Sequence, residues 1–298
     1  MTSKDLFSLE GKTAIITGGS RGLGREMALA FAEHGANVVV ASRKVENCES
    51  VAKEVRAIGR RALAVGYHAA SWDDAGRLAN EAIAEFGRID ILVNNAGMSP
   101  LYSSLVDVTE DLYDKVLGVN LKGPFRLSTL LGTHMTIPDA DNVIHGGAII
   151  NVSSTSSQRP SPNEVIYGAA KAAINTLTVG LARTYGPHVR VNCIVPGPFL
   201  TDISKAWDME QFNARAKTAY SMQRGGEPHE IVGAALYCEQ GKQLHHWHVA
   251  ECRRWSALIA ATKVSQQRSP TLVAHLLRHA VLSTRCDLSE IAMATRRQ

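Results

Sequence analysis

The stretch Thr17-Gly-Gly-Ser-Arg-Gly-Leu-Gly24 decides the fold. It follows a short apolar, β-branched run at residues 12–17 and opens a helical pattern at 22–34. Glycines at 18, 22 and 24 let the chain turn tightly off a strand and let a ligand approach the start of a helix. The free N–H groups and the dipole at that start favour an anion, and a nucleotide diphosphate suits such a seat. Gly18, Ser20, Arg21, Gly22, Leu23 and Gly24 are therefore candidate nucleotide-binding residues.

Outward from this loop, apolar runs at 37–41, 61–65, 89–93, 148–152 and 189–194 read as further strands. Segments 45–58, 73–86, 109–133 and 165–185 carry apolar residues at helical spacing. Alternating strands and helices, with strands apolar throughout, predict an α/β fold. Its core is a doubly wound, Rossmann-type parallel sheet flanked by helices on both faces. Gly35, Gly59, Gly87 and Gly186 stand where left-handed helix caps are expected. Residues 196–226 form a long irregular stretch with a short helix near 208–219, which marks a functional loop. Residues 228–237 read as one more helix, capped by Glu227.

The 298 residues contain no run of about 18 apolar residues, so no membrane span is expected. The beginning, Met1-Thr-Ser-Lys-Asp-Leu-Phe7, has no apolar core of the kind that marks export. Five cysteines without Cys-x-x-Cys spacing argue against a zinc or disulfide framework and for a reducing, cytoplasmic setting. The net charge of +4 is unevenly placed: residues 238–298 hold nine Lys/Arg against four Asp/Glu. The chain thus divides into a domain at 1–237 and an atypical basic tail at 238–298, expected to be loosely helical or disordered.

Four further motifs carry chemistry. After the second strand, Ser42-Arg43 stands where an acidic residue would bind a free ribose 2′-hydroxyl. With Arg21 in the glycine loop, two guanidinium groups there favour the 2′-phosphate of NADP(H), with NAD(H) as the alternative. The fourth strand ends Val93-Asn-Asn-Ala-Gly97, where small residues (Ala96, Gly97) leave room for a flat ring. The amides of Asn94 and Asn95 can tie adjacent strands together; an ordinary Asn/Gly turn reads the same way. Tyr167 and Lys171, four apart on a helix, share one face. An ammonium beside a phenol lowers its pKa and makes Tyr167 a usable general acid–base. Ser154, at the end of the fifth strand, can hold a carbonyl oxygen at the point of proton transfer, and Asn120 can bind a relay water.

These motifs, with Pro196-Gly197 and Thr201, resemble the short-chain dehydrogenase/reductase family over residues 10–237. The glycine spacing departs from the Gly-x-Gly-x-x-Gly of the medium-chain enzymes. The resemblance implies a nicotinamide cofactor and hydride transfer between NADP(H) and a ketone or secondary alcohol. Tyr167 would be the acid–base, and Lys171 would lower its pKa and bind the nicotinamide ribose. Pro196, Gly197 and Thr201 would flank the carboxamide, and residues 199–224 would form the substrate lid. It also implies a homo-oligomer and a small-molecule substrate, with no nucleic acid or membrane partner. A catalytically impaired chain that only binds nucleotide, or a nucleotide-sensing regulator, are the alternatives. Two departures stand out. His68 takes the place of the family's adenine-binding Asp, and nothing after Tyr237 resembles its final strand with its Thr-Gly and Val-Asp-Gly-Gly.

The genetic code accounts for the second departure. Codons for His245-His246-Trp247-His248, read one base later, allow Thr-Thr and force Gly. Those for Cys252-Arg253-Arg254-Trp255 then allow Val-Asp-Gly-Gly. A frameshift near Tyr237–Cys238 is the expectation, with the last strand missing or replaced, the sixth strand left as an exposed edge and assembly impaired. By the same reading the tail histidines, with Cys238 or Cys252, are not a metal site, and no metal is expected. Residues 271–282 keep helix-compatible spacing.

Overall fold

Strand β1 (Thr13–Thr17) is buried along its whole length and sits near the middle of a parallel sheet of order β3-β2-β1-β4-β5-β6-β7. A computed structural model describes residues 7–202, 204, 207–240 and 249–251. The strands are β2 (Asn37–Ser42), β3 (Ala62–Gly66), β4 (Ile91–Asn94), β5 (Gly147–Val152), β6 (Val189–Val195) and β7 (Val249–Glu251). The six expected strands are all present, within one or two residues of the positions read from sequence.

Both sheet faces are covered, which explains the unbroken apolar runs. Ala14, Ile16, Val38 and Val40 enter one core with Met27 and Phe31 of α1 (Gly22–Glu33) and Val51 of α2 (Val45–Ala57). Ile15, Val39 and Ala41 enter the other with Leu78 of α3 (Trp72–Phe86). The second core continues beyond α4 (Glu110–Leu117) with Leu131 of α5 (Gly123–Met135) and Leu181 of α6 (Val165–Tyr185). Among the described residues α6 is the one helix long and apolar enough, by length and composition alone, to cross a bilayer. It instead lies against the sheet and carries Lys171, which is buried.

Two local expectations are corrected. The predicted single helix over 109–133 is interrupted by a π turn at Gly118–Lys122. There the backbone of Gly118 and Gly123 presses on the 69–70 segment: a Cβ on Gly123 would sit 2.0 Å from the Ala69 carbonyl oxygen. Gly35, Gly59 and Gly87 have positive φ as expected, but Gly186 is extended (φ −62°, ψ 149°) because it precedes Pro187 rather than closing a left-handed cap.

The end of the fold also differs from expectation. After α7 (Met209–Ala219) and a turn of 3-10 helix at Pro228–Ile231, α8 (Val232–Gln240) runs through the expected junction at 237–238. Buried Cys238 accepts a hydrogen bond from Asn192 through its carbonyl, and buried Glu239 pairs with Lys12 and Arg190. β7 then pairs with β6 in parallel, Val249 opposite Cys193 and Glu251 opposite Val195. Among the described residues the last strand is this three-residue segment. The expectation of a wholly exposed β6 edge is corrected, because this ladder covers Cys193–Val195. Cys48, Cys193 and Cys238 are buried and take part in no disulfide among the described residues. His245, His246, His248, Cys252 and the helical spacing at 271–282 lie outside the described residues.

Candidate active site

The strand order reverses between β1 and β4, and the space beyond their carboxyl ends is where a parallel sheet of this kind binds ligands. A cleft of about 1300 Å³ opens there. Its two sides are joined by the Thr17 hydroxyl, which donates to the Val93 carbonyl (3.2 Å) and accepts from the N–H groups of Asn95 (3.0 Å) and Ala96 (3.1 Å). The Asn95 amide donates to the carbonyls of Thr17 and Gly18. Asn94 ties β4 to β5, donating to Asn151 (2.9 Å) and to Ser128 (2.8 Å). The two asparagines thus do what their sequence position suggests.

The glycine loop needs its glycines. Gly18 has φ +65°, and a Cβ on Gly24 would lie 2.2 Å from the Gly18 carbonyl oxygen and 2.6 Å from the Asn95 amide nitrogen. This close packing sets the start of α1 against the loop. No side chain caps α1, and its first turn holds no acidic residue. Its leading N–H groups are left for an anion, so these residues fit a dinucleotide diphosphate.

Gly18, Ser20, Arg21, Gly22, Leu23, Ser42, Arg43, Asn95, Ala96, Gly97, Ser154, Tyr167, Lys171, Pro196, Gly197 and Thr201 all line the one cleft. Gly24 lies beneath it. Arg43 is exposed at the end of β2, while Arg21 lies 3.5 Å from the Asp202 carboxylate. The Ser42 hydroxyl contacts the Cys48 thiol at 3.0 Å. His68 also lines the cleft, its backbone N–H held by Asp74.

Asn120 is fully buried, with its side-chain oxygen directly behind Gly97 of the cleft wall. Its amide donates to the carbonyls of Met98 (2.8 Å) and Val116 (2.9 Å), and its oxygen accepts from the Met98 N–H (3.3 Å). The side chain staples the π turn to the segment after β4; both amide N–H donors are used, while its oxygen takes one long bond and keeps acceptor capacity.

α6 begins on a close contact. A Cβ on Gly168 would meet the Ser156 carbonyl oxygen and Pro160 Cβ, each at 2.7 Å, so the glycine lets α6 seat against the segment after β5. This brings Ser154 to Tyr167. The Lys171 ammonium lies 5.7 Å from the Tyr167 ring centroid and donates to the Val152 carbonyl (2.8 Å). Burial pushes the Tyr167 phenol up to about 12; a hydrogen bond from Ser154 works against this, and the Glu164 charge adds to it. Burial brings Lys171 down to about 8. Burial dominates the Tyr167 shift, and Ser154, rather than Lys171, is the group that acts against it in the protein alone.

Sequence reading missed Glu164, which lines the cleft three residues before Tyr167, and Ser99, Ser156 and Ser161 around it. Its spacing from Tyr167 was the available signal. The expected lid contributes Phe199, Trp207, Phe212, Arg215 and Tyr220 to the cleft wall.

A profile of the short chain dehydrogenase family matches residues 12–211. An uncharacterized oxidoreductase of Mycobacterium tuberculosis is 37% identical over 234 residues, 78% of this chain and 87% of the relative. A 7α-hydroxysteroid dehydrogenase, solved with NADH and 7-oxo glycochenodeoxycholic acid, superposes with a TM-score of 0.78 at 30% identity. It covers 85% of this chain and 97% of that one. A short chain dehydrogenase from Burkholderia cenocepacia in complex with NADP gives a TM-score of 0.71 at 30% identity, over 81% and 96%. The chain belongs to the short-chain dehydrogenase/reductase family, and is an oxidoreductase by that membership.

Proposed function

We propose that this chain interconverts a ketone and a secondary alcohol with a nicotinamide cofactor, NADP(H) in preference to NAD(H), with Tyr167 as the acid–base. The observation that carries this reading is the placement of Tyr167, Lys171 and Ser154 in the same cleft as the uncapped start of α1. The cofactor's nicotinamide supplies or accepts the hydride. The α1 start and the glycine loop would hold its diphosphate, and Arg43 and Arg21 would supply positive charge for its ribose phosphate. A carbonyl oxygen accepts from the Ser154 and Tyr167 hydroxyls, and in reduction the phenolic proton passes to that oxygen. In oxidation the phenolate takes the hydroxyl proton back. Lys171 holds a positive charge beside the phenol and stabilises the phenolate between these steps. Asn120 positions the cleft wall behind Gly97, where both its oxygen and the Lys171 ammonium lie.

Oxidation of NADPH with a panel of ketones tests the reading. Tyr167→Phe is expected to keep NADPH binding and lose turnover about a hundredfold or more. Retained turnover overturns the assignment. The out-of-frame origin of residues 238–298 and a cytoplasmic setting are parts of the same proposal.

A further inference from the structure

Three carboxylates line the cleft: Asp202, Asp208 and Glu164. Asp202 lies beside Arg21, and Asp208 caps α7 by accepting from the Gln211 N–H at 3.0 Å. Glu164 has no such structural duty. Its Oε2 accepts from the hydroxyls of Ser161 (2.8 Å) and Ser156 (3.3 Å), whereas Oε1 has only the Ser99 hydroxyl, at 3.5 Å. Among the described residues no Lys, Arg or His lies within ion-pair distance of it. The serines fix the carboxylate and leave one oxygen with spare acceptor capacity, one helical turn before the proposed proton donor.

The same cleft carries an aromatic cluster. Trp207 and Phe212 are 5.1 Å apart between ring centroids, and Phe212 and Tyr220 6.0 Å, all lining the same cleft. A fixed carboxylate with aromatic faces in one cavity suits a cation. An anionic substrate would meet repulsion at Glu164, and a neutral polyol would leave its charge uncompensated. The basic groups of the substrate end, Lys115, Arg159 and Arg215, are exposed, and Lys115 is already paired with Asp111 at 2.7 Å. Exposed charges of this kind are largely screened.

We propose that Glu164 makes this site selective for a carbonyl or alcohol substrate that carries a protonated amine near the reacting carbon. The proposal rests on the reading above and deepens it. The Glu164 charge also opposes ionisation of Tyr167. An ammonium group bound at Oε1 neutralises that charge, so the cognate substrate itself eases formation of the phenolate in the oxidative direction.

Steady-state kinetics of the full chain with NADPH and three matched ketones test this: an N-methylpiperidone, the uncharged methylcyclohexanone and an oxocyclohexane carboxylate. kcat/KM for the amine is expected to exceed that for the carbocycle about tenfold or more, with the acid poorest. Glu164→Gln should erase the preference, chiefly through the KM for the amine. N-methylpiperidine, which has no carbonyl, should compete with methylcyclohexanone in the unaltered protein, a readout that needs no variant. Equal kcat/KM for amine and carbocycle, or a preference that survives Glu164→Gln, overturns the proposal. If methylcyclohexanone is reduced, dependent on Tyr167, with no amine preference, this inference fails and the general reading stands. If none of the three is reduced although NADPH binds, both fail.

Discussion

The Lys171 ammonium sits 5.7 Å from the centre of the Tyr167 ring, with its one described hydrogen bond going to the Val152 carbonyl. The pair is thus held by the β5 backbone. Burial raises the phenol to about 12 and lowers the ammonium to about 8. Alcohol oxidation needs the phenolate, so its rate should climb with pH through the neutral and mildly alkaline range, whereas carbonyl reduction, which needs the neutral phenol, should not. Paired pH–rate profiles in the two directions check this; an oxidation rate that falls from pH 7 to 9 would contradict it.

Lys171 also bears on stability. Its folded pKa lies below the unfolded value, so the buried charge destabilises the fold fully below about pH 8, and the penalty fades as pH rises toward 10.5. Lys171→Met should therefore raise thermal stability at pH 7, on the order of 2 kcal/mol, while abolishing turnover. Calorimetry at pH 7 and 10 reads both the sign and its pH dependence.

Gly24→Ala places a methyl group 2.2 Å from the Gly18 carbonyl oxygen. Backbone must move to admit it, and the start of α1 moves with it. Binding of NADPH, followed by its fluorescence, should weaken at least about tenfold, as a shift of the anion seat implies.

Arg43 is exposed, and the residue before it ends β2. If it contacts the ribose phosphate, Arg43→Ala should raise the KM for NADPH about tenfold or more and leave the KM for NADH nearly unchanged, because the lost charge-assisted bonds reach only the phosphate. Equal losses with both cofactors would assign Arg43 a different role.

The proposed frameshift makes a prediction about DNA. Resequencing the gene around codon 238 should reveal codons that, shifted by one base, encode Thr-Thr-Gly and then Val-Asp-Gly-Gly across 245–255. Codons that cannot yield this string would refute the frameshift.

Legibility from sequence followed the strength of the local signal. The strands were clear because residues such as Ile15 and Val39 are buried on a two-sided sheet, and the unbroken apolar run records that directly. The interruption at Asn120 was not, because the π turn depends on contact between Gly118, Gly123 and the distant 69–70 segment. Gly186 misled for a related reason: its conformation is set by the proline after it. Tyr167, Lys171 and Ser154 were readable as a constellation, whereas Glu164 was not, since a carboxylate near a helix start usually serves as a cap. The segment at Val249–Glu251 joins the sheet by backbone pairing, to which its side-chain pattern gave no guide.

The single hydroxyl of Thr17 joins β1 to the end of β4 and shapes the floor of the nucleotide cleft. Whatever fills that cleft therefore also braces the centre of the sheet. A dinucleotide at a hundred times its dissociation constant would favour the folded chain by about 2.7 kcal/mol. Supplying it during expression and purification should act as a ligand chaperone and raise the yield of folded protein.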